Sequence, residues 1–200
     1  MAQQTQFTIG ARASFADHLC GVVRRIIIDP ASRTVTHLVI ERKHLRQPGR
    51  LVPLDLVDTA VGEIRLRCTV AEFDRLDPAE EWELVRSPRS TRGMVGMTTY
   101  TWIPPPTRFA VHEIVPAGEA QVGPGDRVCA IDGEIGQVRG LLVDPGDLRV
   151  THVLLREGHL RGRRRVAIPV SAVIAVQDGI LLNITKQQAE NLPLARSDHG

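Results

Sequence analysis

Two basic segments of the chain carry side chains that are suited to binding an anion. One is Arg42-Lys43-His44-Leu45-Arg46, and the other, Arg161-Gly162-Arg163-Arg164-Arg165, follows His159. Clustered guanidinium groups offer planar, bidentate donors to carboxylates and phosphates. The alternative is a solvated hairpin surface that binds nothing, because charged runs are common on protein surfaces. The residues predicted to bind a partner are Lys43, His44, Arg46, His159, Arg161, Arg163 and Arg164.

Four histidines stand at matching places in the two halves, which raises the question of a metal site. They are His37, His44, His152 and His159. A separation of seven residues places two side chains on opposite faces of a continuous strand, and no Cys or carboxylate recurs beside both pairs. We therefore predict no metal site. We expect His37 and His152 to pack at a barrel wall, on the strand face that holds Val35, Val39, Val150 and Leu154, with the polar edge of each ring hydrogen-bonded.

The sequence contains no pattern that is typical of an enzyme. It has no Gly-rich phosphate loop, no nucleophile elbow and no HExxH segment. Its three cysteines are widely spaced and form no CxxC pair, so neither a disulfide framework nor a zinc site is indicated. No catalytic residue and no cofactor is predicted.

The two halves of the chain are copies of one another. Twelve of the thirty residues from 21 to 50 are identical to the residue 115 positions later, where about two matches are expected by chance. Asp29-Pro30 recurs as Asp144-Pro145, and Val35-Thr36-His37 recurs as Val150-Thr151-His152. After Arg165 one inserted residue changes the offset to 116, so that Pro53 matches Pro169. The chain therefore contains a duplicated unit of about 75 residues.

Each copy has the pattern of short antiparallel strands. Runs of Val, Ile and Leu alternate with turn residues, and aromatic residues make up only 4% of the chain. Strands are expected over 21–28, 34–41 and 63–69, at the matching places of the second copy, and before Pro53 and Pro169, followed by a polar segment that can form a helical turn. We predict an all-β fold of two tandem small antiparallel β-barrels, in contact with one another. The predicted domains are 7–86 and 119–195, joined by a connector over 87–118 that the prolines 104–106 make extended.

Both copies resemble the PRC-barrel domain family. The second copy carries the fuller pattern, in Gly125-Asp126-Arg127-Val128, Asp132-Gly133-Glu134-Ile135-Gly136, Leu142-Val143-Asp144-Pro145 and Ala167-Ile168-Pro169-Val170. The first copy departs from it where Asp17-His18 replaces the Asp-Gly turn. Members include the C-terminal domain of a 16S rRNA maturation factor and the cytoplasmic domain of the photosynthetic reaction-centre H subunit. The resemblance implies a non-catalytic module that presents a surface to a larger assembly.

Three functions are compatible with these observations. The first is a binding or scaffolding module that docks onto a protein partner, and it requires an exposed apolar patch beside the basic loops. The second is association with RNA or the ribosome, against which the scarcity of aromatic residues counts. The third is an accessory role near a membrane or photosynthetic complex. With a net charge of +2, a polar N-terminus and no apolar run long enough to span a bilayer, we expect a cytoplasmic protein. Homo-oligomerisation is left open.

Overall fold

The computed structural model describes residues 4–15, 18–42, 48–60, 63–85, 108–157, 165–177 and 179–192. These residues are mostly in strands, which confirms the predicted all-β class. The first half contains β1 to β8: Thr5–Thr8, Arg12–Phe15, His18–Asp29, Thr34–Arg42, Arg50–Pro53, Val57–Ala60, Glu63–Leu66 and Glu80–Val85. The second half contains β9 to β16: Arg108–Glu113, Ala120–Val122, Arg127–Ala130, Gly133–Val143, Val150–Glu157, Arg165–Pro169, Val173–Gln177 and Gly179–Leu182.

Two short helices occupy matching places in the halves, where the sequence predicts a helical turn. They are Val70–Phe73 (α1) and Lys186–Glu190 (α2). Each begins at a threonine, Thr69 or Thr185, whose hydroxyl accepts a hydrogen bond from the backbone N–H three residues on. The residue at that third position, Glu72 or Gln188, in turn accepts one from the threonine N–H, which completes a capping box.

The strands form two large sheets of the same order. The N-terminal sheet runs β5-β4-β3-β2-β7-β6 and is a nearly closed six-stranded barrel. The C-terminal sheet is a second mixed sheet that runs β14-β13-β12-β11-β16-β15. The prediction of purely antiparallel sheets is wrong at one place in each, because β2 pairs with β7 and β11 with β16 in parallel. A separate hairpin joins β8 to β9, so a strand lies inside the predicted connector 87–118.

Each sheet receives a seventh strand from the other half. Strand β1 pairs with the end of β12, with Phe7 opposite Leu141, and β10 pairs with the end of β3, with Val122 opposite Ile26. The two pairings are related by the 115-residue offset of the duplication. Gly140 permits the first of them, because a Cβ there would lie 2.1 Å from the carbonyl oxygen of Phe7. The halves are therefore joined by a reciprocal exchange of strands.

The exchange is centred on the turns between β3 and β4 and between β12 and β13. Thr34 forms a bridge with Arg149, the residue that matches it in the duplication. On either side, Val35 N donates to the carbonyl of Leu148 at 3.1 Å and Val150 N donates to that of Arg33 at 2.9 Å. Arg33 and Leu148 both have positive φ, 58° and 59°. These paired contacts give the molecule an internal two-fold relation.

The interior is one continuous apolar core that both halves share. It includes Phe7, Val23 and Ile40 from the first half and Leu141 and Ile168 from the second. A small second cluster, made of Ile27, Val39, Leu51 and Ala79, lies apart from it. Val115, which follows the β8–β9 hairpin, packs against this cluster.

Candidate functional site

The basic segments connect neighbouring antiparallel strands. The first joins β4 to β5 and the second joins β13 to β14. The residues predicted to bind a partner lie outside the described part of the chain: Lys43, His44, Arg46, His159, Arg161, Arg163 and Arg164. Their role stays a prediction.

Arg42, the first residue of the first basic segment, and Arg50, four residues after its end, hold the chain after β7. Arg42 Nη1 donates to Asp74 Oδ1 at 2.9 Å, and Arg50 Nη1 donates to the carbonyl of Leu76 at 3.0 Å. Both donors thus anchor the segment that follows α1. These arginines have a structural role at the base of the loop, whatever the loop itself binds.

The histidines His37 and His152 lie beside a bulge in the strand. Thr36 is the extra residue between the pairs Ile28–Val35 and Ile27–His37, and Thr151 has the same place in the second half. Because an extra residue reverses the alternation of side chains, Val35 joins the main core and the histidine does not. The prediction that His37 and His152 share a face with Val35 and Val150 is therefore wrong. The prediction that they share a face with Val39 and Leu154 is confirmed, because no extra residue interrupts either strand between them.

The predicted hydrogen bonding of the two imidazoles is confirmed. In each half Nδ1 lies 3.1 Å from the hydroxyl of the preceding threonine. That hydroxyl, on Thr36 or Thr151, also donates to a main-chain carbonyl of the neighbouring strand. The described residues contain no group of three or more His, Cys, Asp or Glu side chains that could hold a metal ion.

The environment of these histidines differs between the halves at one position. Glu119 Oε2 lies 3.6 Å from His37 Nδ1 and accepts from the Thr36 hydroxyl at 2.9 Å. The matching residue in the duplication is Gln4, which donates to the Thr151 hydroxyl at 3.3 Å. Both contacts cross from one half to the other, so they reinforce the strand exchange.

Arg25 is a buried arginine that sequence reasoning missed. Its side chain is 5% exposed and donates to Gln121 Oε1 and to the carbonyl of Ala79, both at 3.0 Å. Ion pairs at 3.1 and 3.5 Å join it to Glu113 and Glu80. The arrangement ties the β8–β9 hairpin to the N-terminal sheet. The two halves differ at this position, because the residue that matches Arg25 in the second half is Gly140.

Exposed apolar side chains of the C-terminal sheet lie on β15, on β16 and in the turn that follows β11. Leu181 is 50% exposed and is paired with Ala175 on one side and Cys129 on the other. Ile174, a bulge residue next to Ala175, is 65% exposed, and Ile131, two residues after Cys129, is 69% exposed. We call Ile131, Ile174 and Leu181 the apolar face.

The N-terminal sheet has polar residues at the positions that match the apolar face. Asp58 matches Ile174 and Arg65 matches Leu181, and these two are paired across β6 and β7. Both are exposed. The exposed apolar residues are therefore specific to the second half, where β15 also carries a bulge that β6 lacks.

Of the cysteine side chains that the structure describes, Cys68 and Cys129, the first is in an environment that disfavours a reactive thiol. Cys68 is buried, and burial raises the pKa of its thiol, which disfavours the nucleophilic thiolate. Cys129 is a half-buried free thiol, and it is paired with Leu181 between β11 and β16.

Neither of the helices that the structure describes is long and apolar enough to cross a membrane. No protein-family model matches this chain, and no curated protein matches it in sequence.

Proposed function

We propose that this chain is a non-catalytic docking module, and that the apolar face of its second half binds a protein partner. The observation that carries the proposal is the contrast between matched positions. Ile174 and Leu181 are half or more exposed where the first half has Asp58 and Arg65. Exposed apolar side chains grouped on one face are typical of interaction surfaces, since burying them on association is favourable.

The proposal includes an identity for the fold. We infer two PRC-barrel-like units, one in each half, and the repeated strand order together with the nearly closed N-terminal barrel supports this inference. The family resemblance, the duplication and a cytoplasmic location belong to the same proposal. In it, the duplication supplies a stable scaffold, and divergence of the second half supplies the binding surface.

Affinity capture with matched variants tests this function. The full chain is immobilised and exposed to lysate of the native host, with and without RNase. The double variant I174D/L181R places the residues of the first half on the apolar face, and D58N/R65Q is its control in the N-terminal sheet. We expect retained proteins to resist RNase, to be lost in I174D/L181R and to persist in the control.

Two results would contradict the docking function. Equal retention by I174D/L181R and wild type would show that the apolar face does not bind. Retention abolished by RNase would favour the RNA alternative, in which the basic segments make the contact and binding weakens steeply with salt.

A further inference from the structure

An exposed ion pair of the N-terminal sheet is replaced by two arginines in the C-terminal sheet. Arg24 Nε donates to the carboxylate of Glu41, between β3 and β4. The residues 115 positions later are Arg139 and Arg156, so the arginine is kept and its acidic partner becomes a second cation. A neutral pair in the first half therefore corresponds to two positive charges in the second.

The strand register brings these two arginines together. Arg24 is the extra residue of a bulge in β3, and Arg139 is the extra residue of the matching bulge in β12. Glu41 and Arg156 have matching places on the neighbouring strands, β4 and β13. Because this register allows Arg24 to reach Glu41, it also places Arg139 beside Arg156. Both arginines are exposed, and neither makes a hydrogen bond or ion pair with another side chain that the structure describes.

A third arginine extends the positive charge across the sheet. Arg127 on β11 is paired with Gln137 on β12, which is paired in turn with Arg156 on β13. Neighbouring strands lie about 4.8 Å apart, so the Cα atoms of Arg127 and Arg156 are about 10 Å apart. The side chain of Arg127 is 72% exposed, and its ion pair with Glu134 is long, at 3.8 Å. We call Arg127, Arg139 and Arg156 the arginine cluster.

The arginine cluster borders the apolar face. Arg127 and Cys129 are two residues apart on β11, and the extra residue of the bulge here belongs to β12, so both side chains lie on the same side of β11. Cys129 is paired with Leu181 of the apolar face. On the other side of the cluster, Arg156 is paired with Arg165, where the second basic segment ends. The cluster therefore lies between the apolar face and that segment.

We propose that the partner bound at the apolar face is an acidic protein, whose carboxylates pair with the arginine cluster. This inference rests on the proposed docking function and names the chemistry of the partner. Arginine is enriched at protein interfaces, where its planar guanidinium binds carboxylates beside an apolar centre. RNA fits this surface less well, because strands β11 to β16 contain no Phe, Tyr or Trp on which a base could stack.

The test measures the binding of short fluorescent peptides to the full chain by anisotropy. The probe is a peptide with two leucines followed by a run of glutamates, and the matched peptide has glutamines in their place. We expect the glutamate peptide to bind about tenfold more tightly, because several exposed ion pairs each contribute a small factor. This difference should shrink as the salt concentration rises, since exposed charges are screened.

The duplication supplies the variant. R156E places the glutamate of the matched position beside Arg139, so it copies the ion pair of the first half and is expected to fold. We expect it to weaken the glutamate peptide about tenfold and to leave the glutamine peptide unchanged, because it removes one cation and pairs another. R75E is the control, since it changes the net charge by the same amount at an exposed position of the first half. The comparison of the two peptides on the wild-type chain does not depend on either variant.

Failure of this inference is distinguishable from failure of the docking function. Equal binding of the two peptides, no binding of the glutamate peptide, or wild-type affinity in R156E would overturn the acidic partner, while the loss of retained protein in I174D/L181R would still support docking. Tighter binding of oligouridylate of equal charge, or of phosphatidylserine vesicles, would overturn it in favour of RNA or a membrane surface. Unchanged retention in I174D/L181R, with the glutamate peptide lost in R156E, would refute the apolar face and leave only the affinity of the arginine cluster for carboxylates.

Discussion

Phe7 is the side chain whose removal most directly weakens the exchanged strand β1. It is 1% exposed and packs in the shared core. Truncating a buried phenylalanine to alanine costs about 3–5 kcal/mol, from lost apolar transfer and from the cavity that remains. We expect F7A to fall in the lower part of this range, because a four-residue strand that pairs with one described neighbour, β12, can shift to close part of the cavity.

The assay combines urea denaturation with amide hydrogen exchange. The free energy of unfolding should fall by about 3 kcal/mol in F7A. Exchange should accelerate in residues 140–143, which belong to the other half and pair with β1. V111A is the control: Val111 is 51% exposed, so its truncation should change stability by less than about 0.5 kcal/mol. A loss below about 1 kcal/mol in F7A, with unchanged exchange at residues 140–143, would refute the packing of β1 against the second half.

Three further substitutions test other parts of the structure. R25A should lower the free energy of unfolding in urea by about 2 kcal/mol. This is less than the ~3–5 kcal/mol expected for breaking a fully buried ion pair, because the glutamate partners of Arg25 keep contact with water. An unchanged free energy of unfolding would contradict the role of Arg25 in holding the β8–β9 hairpin. G140A should cost about 1–3 kcal/mol, because its Cβ meets the Phe7 carbonyl; a wild-type melting temperature would contradict that. Hydrogen bonds from the helix cap lower the pKa of Glu72, so its contribution is present above the ordinary glutamate pKa and is lost as pH falls through the lowered value. E72Q, which copies Gln188, should therefore lose less stability than wild type between neutral and acidic pH in thermal melts; equal losses would exclude this contribution.

The strands and turns of each half could be predicted from the sequence, because the same turn residues occur in both halves. The Asp-Pro turns bound the strands on both sides, and Pro53 and Pro169 end a strand as expected. The bulges at Thr36 and Thr151 could not be foreseen, because an inserted residue leaves the composition of a strand unchanged. That single unseen residue was enough to reverse the predicted face of His37 and His152.

The strand exchange lies beyond local reasoning for a different reason. Thr5–Thr8 pairs with residues more than 130 positions away, and nothing in its four side chains distinguishes a partner in one half from the equivalent partner in the other. Residues that differ between the copies are easier to find from the sequence. Aligning the halves beyond the insertion places Ile174 on Asp58 and Leu181 on Arg65, and aligning them before it places Arg25 on Gly140. The residues that we propose to bind a partner are therefore found where the copies differ.

Nuclear Overhauser contacts in the monomeric protein test the reciprocal exchange of strands most directly. The structure predicts cross-strand contacts between Phe7 and Leu141 and between Val122 and Ile26, all within one chain. An isotope-filtered experiment on mixed labelled and unlabelled protein distinguishes these from contacts between chains. Main-chain contacts of Phe7 with Ile26 and of Val122 with Leu141, in place of the predicted strand pairs, would mean that each half completes its own sheet, and would contradict the exchange of strands.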